Sequence, residues 1–145
     1  MDQQALKQII SGLAQDSELL AQLGSLLQQQ YLLMSQRKSA ELDLLNQQAD
    51  TLLAQLQQNA SRRAAAMQQL QQPLTAQGLD NLLAQLPERI RLASQQLLQK
   101  VQHHNSLCQQ LNAKNGELLA YQRRLMQKLL GLPDKTQYPQ LQLTP

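Results

Sequence analysis

The chain has 145 residues with no Phe, no Trp and three Tyr, so it is long enough for one domain but cannot fill a core with aromatic rings. Its one cysteine excludes an intrachain disulfide and fits a reducing cytoplasm. No apolar run reaches the roughly 18 residues of a membrane span, and the opening MDQQALKQIISGL lacks the basic start and apolar run of a signal peptide.

Leu and Gln together supply roughly 45% of the residues, and β-branched residues are scarce. Both are good helix formers, so the composition predicts an all-α protein built from long packed helices.

Leu6, Leu13, Leu20, Leu27 and Met34 are seven apart and form a heptad seam. The phase then shifts: Met34 to Leu45 is eleven residues, and Leu45 to Leu52 is seven again. Read as a stutter, this leaves the helix intact. With no proline before Pro73, the pattern predicts one helix over about 3–71, roughly 100 Å long at 1.5 Å per residue. Asn59 to Arg63, NASRR, is the expected place for a bend or an early end.

Pro73 to Gly78, PLTAQG, reads as a connection, and Leu79 to Leu86 as a short helix. Pro87 suits the first position of a closing helix over 87–131, with Glu88 complementing its dipole. Its seam is Ile90, Leu97, His104, Leu111, Leu118 and Leu125, and it stops at Gly131, with Lys128 in the last turn and Pro133 beyond. Residues 132–145 are Pro-containing and aperiodic, and read as a flexible tail after a single helical domain over 1–131.

Two long helices joined by a short one are expected to pack as an antiparallel hairpin or bundle, since neither buries its stripe alone. The first is about 25 residues longer on this reading, so part of its leucine seam would lack a partner within the chain and call for another protein.

Residues 1–88 carry five Lys/Arg against eight Asp/Glu, and residues 89–145 carry eight against two. This asymmetry suits pairing between the halves or an acidic partner for the second. The basic pairs Arg62-Arg63, Arg89/Arg91 and Arg123-Arg124 are scattered and lack aromatic stacking platforms, so no nucleic acid is expected as a partner.

His104 and Cys108 share a helix face beside His103, but a zinc site needs three or four ligands and the chain has no further His or Cys. No metal, cofactor or catalytic constellation is read here, and no enzyme is expected. The glutamines interleave with the leucine period and read as a solvated helix surface.

The closing helix also places Asn112 and Asn115 in or beside its apolar stripe. Such an amide either fixes register at some cost in stability or reads a partner helix; the spacing leaves both readings open.

The segment NSLCQQLNAKNGELLAYQRRLMQKLL, with Asn105, Asn112 and Asn115 followed by Leu118-Leu119, resembles the closing helix of the FlgN family of flagellar export chaperones. RKSAELDLL, from Arg37 to Leu45, matches the family's early helix. The resemblance implies a cytoplasmic chaperone that holds hook–filament junction (hook-associated) proteins before type III export, preventing premature assembly. It implies partner binding through Leu111, Asn112, Asn115, Leu118, Leu119, Tyr121, Leu125 and Leu129. It also implies docking on an export-gate component through Tyr138, although Pro139 rather than a glycine follows it. The rival reading is a coiled-coil structural or adaptor protein that acts by self-oligomerisation.

Overall fold

The computed structural model describes residues 2–131. They form four helices: α1 (Gln3–Ser35), α2 (Ser39–Gln69), α3 (Ala76–Ala84) and α4 (Glu88–Leu130), with no strand among the described residues. The fold is an all-α bundle, as the composition predicts.

The predicted helix over 3–71 is two helices. At Gln36–Lys38 the chain reverses, and α2 returns antiparallel along α1. The reversal is a Schellman ending: the Lys38 N–H donates to the Leu33 carbonyl at 3.0 Å and the Arg37 N–H to the Met34 carbonyl at 3.2 Å. Arg37 takes the left-handed conformation (φ 56°) that usually selects glycine. The same device ends α2, with Gln71 at φ 55° and the Gln72 N–H on the Met67 carbonyl at 2.9 Å. The phase shift between Met34 and Leu45 is thus the hairpin turn rather than a stutter.

α2 runs unbroken through Asn59 to Arg63, so it does not end early there. That stretch is held against α1: the Asn59 amide donates to Asp16 Oδ1 at 3.0 Å, and the Arg63 guanidinium pairs with Asp16 Oδ2 at 2.8 Å. This ion pair joins α1 to α2, so it does not link the acidic first half to the basic second.

α1 is shared by its neighbours because two rows of it are buried. Leu13, Leu20, Leu27 and Met34 are the expected seam; Ile9, Asp16, Leu23 and Gln30 form a companion row three residues on. One core cluster joins Leu20, Leu23 and Leu27 to Ala49 of α2 and Cys108 of α4. The other, at the start of α1, is closed by α3, whose Leu79, Leu82 and Leu83 pack with Ala5, Ile9, Leu13, Ala66 and Met67. α3 is capped by the Thr75 hydroxyl, which accepts from the Gly78 N–H at 3.0 Å. Gly78 is required there, because a Cβ would stand 2.2 Å from the Pro73 carbonyl oxygen.

The first helix therefore leaves no bare leucine seam: α2 covers what the unbroken reading left open. The antiparallel hairpin is α1 with α2. α4 runs parallel to α1, with side chains of Cys108, Asn115 and Gln122 bonded to residues 88 positions earlier. Pro87 stands at the N-cap of α4, one residue outside the expected start, and Gly131 ends it in the left-handed conformation (φ 64°).

Candidate partner-binding helix

α4 meets α1 along a row that is small or polar. The row is Ser94, Val101, Cys108, Asn115 and Gln122, each seven from the next, with Ser94, Cys108 and Asn115 buried. Three of these side chains bond to main-chain carbonyls of α1, themselves seven apart. The Cys108 thiol donates to the Leu20 carbonyl at 3.3 Å, the Asn115 amide to that of Leu27 at 2.8 Å, and the Gln122 amide to that of Met34 at 2.8 Å. Carbonyl oxygens have two lone pairs, so a helical carbonyl can accept such a bond besides its own. Burial pushes the Cys108 thiol above its ordinary value of 9.0.

Asn115 also donates to Gln30 Oε1 at 2.7 Å, and the Gln30 amide donates to Asn46 Oδ1 at 2.9 Å. A polar layer thus crosses all three long helices. Its one unpartnered buried atom is Asn115 Oδ1. Asn115, which the resemblance places among the partner-binding residues, is buried and bonded within the chain, because the row on which it lies is the one that meets α1.

The other expected contact residues divide by exposure. Leu111, Asn112, Leu118, Leu119 and Leu125 are half-buried, flanking the polar row, with Leu111 packed on the second core cluster. Tyr121 is 58% exposed and Leu129 72% exposed. Tyr138 and the predicted tail lie outside the described residues.

The parallel offset sets where α4 outruns α1. Shifted by 88, Arg123 stands beside Ser35, the last residue of α1. Residues 124–130 therefore extend past the end of α1, about 10 Å at 1.5 Å per residue, with Leu125, Met126 and Gln127 half-buried there. Leu129 and Leu130 of that overhang are exposed.

Two polar devices were missed in the sequence: the Asp16–Asn59–Arg63 cluster and the Gln30–Asn46 link. Their signal was there, since Asp16 and Gln30 interrupt the row three residues after the leucine seam. Ring centroids of His103 and His104 are 5.8 Å apart. Among the described residues no group of three or more His, Cys, Asp or Glu converges, and no helix is long and apolar enough to cross a membrane.

The family model described as FlgN protein matches residues 1–134. No curated protein and no solved structure matches the chain.

Proposed function

This chain belongs to the FlgN family and is a flagellar export chaperone, and we propose that it holds hook–filament junction proteins in the bacterial cytoplasm through the free side of α4. The observation that supports this most is the exposure of apolar side chains on α4. Leu107, Tyr121, Leu129 and Leu130 all face solvent, and the last two lie on the overhang beyond the end of α1. Subunits that polymerise outside the cell carry adhesive helices, and an apolar helix face is suited to mask them.

The contact set is Leu111, Asn112, Leu118, Leu119, Tyr121, Leu125 and Leu129. Asn115 acts from inside by holding α4 to α1 and α2. Delivery to the type III export apparatus, with Tyr138 meeting an export-gate component, is proposed on the family resemblance alone.

The test is binding of the purified full chain to purified hook–filament junction proteins of the same bacterium, followed by calorimetry and light scattering. A defined complex with the chaperone, weakened by Leu129→Ser, is the expected result. No complex with any of them, together with a stable self-oligomer, would replace this reading with the coiled-coil adaptor.

A further inference from the structure

α4 carries a second heptad pattern beside the row that meets α1. Leu111, Leu118 and Leu125 are seven apart, and Leu107, Lys114 and Tyr121 form a companion row, also seven apart. Alternating rows of this kind are the seam of a helix that packs on another helix. This was the row from which the sequence predicted the internal contact, yet α1 is bonded to the row next to it.

Opposite this seam α1 presents three short side chains, Ala21, Gly24 and Ser25, between Leu20 and Gln28. Between the two helices lies a groove of about 400 Å³. Short residues on one wall let an incoming helix approach to the usual 8–10 Å between axes. The charge of the groove has one sign. No carboxylate lines it, and Lys114 stands on its rim over the Tyr31 ring at 4.2 Å. Lys100, Lys114 and Lys128 recur fourteen apart along the same row, roughly 21 Å at 1.5 Å per residue.

We propose that the groove between α1 and α4 is the docking site for an amphipathic helix of the client, one with a leucine-type face flanked by carboxylates spaced to meet this lysine row. The proposal rests on the reading of the chain as a client-binding chaperone and adds where the client lies and which charge it carries. The heptad period selects a helix over an extended segment. The lysine row selects against a second copy of this chain, because symmetric self-pairing would set lysine against lysine.

The groove exists only while α4 lies on α1, which makes it testable with a lock. A Cβ built on Gly24 lies 3.8 Å from Cys108 Sγ, within reach of a disulfide. Gly24→Cys, oxidised, should join the two helices. Affinity for the purified hook–filament junction proteins is measured for the parent, the locked form, Ala21→Glu and Lys114→Glu, with thermal melts alongside. Ala21 and Lys114 are exposed, so the melts of those two variants should stay close to the parent's. The expected result is a loss of roughly tenfold or more in affinity for each, the order of effect of an introduced like charge, while the locked form binds like the parent.

Parent-like binding by Ala21→Glu and Lys114→Glu would overturn the groove and leave the chaperone reading standing. So would loss of binding on locking, since the client would then need α4 released. A client-free dimer disrupted by the same substitutions would make a second copy the occupant and overturn the proposal. A parent that binds none of the junction proteins would remove both readings together.

Discussion

The Asn115 side-chain amide donates to the main-chain carbonyl of Leu27 at 2.8 Å, with Gln30 Oε1 as its second acceptor at 2.7 Å. This pairing fixes the register of α4 on α1, since a shift of one residue would turn both acceptors away. It also leaves Asn115 Oδ1 buried without a donor, so the amide favours one arrangement of helices over maximal stability.

Asn115→Ala should lower stability by about 1–3 kcal/mol, because Gln30 Oε1 is then stranded in a buried site. Asn115→Leu strands the same Gln30 oxygen but leaves no cavity and removes the unpartnered amide oxygen, so it should cost less than Asn115→Ala. Urea denaturation of both variants checks this. An Asn115→Ala effect within about 0.5 kcal/mol of zero, the range of an ordinary surface change, would show that the layer does not hold α4.

Asp16 is 4% exposed and bonded to both Asn59 and Arg63. Asp16→Ala should destabilise the α1–α2 hairpin by roughly 2–3 kcal/mol. That is below the 3–5 kcal/mol for breaking a fully buried pair, because the Arg63 side chain is 22% exposed and can turn to water. Arg63→Ala should cost more than a surface substitution, since it leaves the carboxylate with only Asn59. Equal stability of Asp16→Ala and the parent in chemical denaturation would contradict this account.

Arg37 occupies a left-handed position, φ 56°, at the hairpin turn. The conformation costs an L-residue roughly 1–2 kcal/mol and glycine nearly nothing. Arg37→Gly should therefore raise the melting temperature, by a gain of up to about 1 kcal/mol after the added entropy of the unfolded glycine is subtracted. A lowered melting temperature would mean the guanidinium contributes more than the backbone geometry implies.

The Cys108 thiol is raised by burial, so the unfolded chain ionises it first. Its contribution to stability is fully present below the unfolded value and is lost as pH rises through the folded one. Between about pH 8 and pH 10 the parent should lose more stability than Cys108→Ala, which lacks the titrating group. Melting temperatures of the two proteins across that range give the comparison, and parallel curves would remove the thiol from the account.

The sequence by itself determined the helical class, the buried row Leu13, Leu20, Leu27 and Met34, and the end of α4 at Gly131. Each follows from local facts: a period of seven, and a glycine free to take a left-handed turn. The reversal at Gln36–Lys38 was hidden because it uses Arg37 where a glycine would have announced it. Only the tertiary structure decided which face of α4 is internal. Apolar periodicity picks the row with the most leucine, Leu97, Leu111, Leu118 and Leu125. The row that bonds to α1 is Cys108, Asn115 and Gln122, whose thiol and amides reach the carbonyls of Leu20, Leu27 and Met34, while Leu97 and Leu111 pack beside it on the two core clusters. The parallel direction of α4 likewise depends on α2 having already covered the other side of α1. A hydrogen bond between residues 88 apart has no local period to announce it, so the sequence showed the asparagine without showing what it holds.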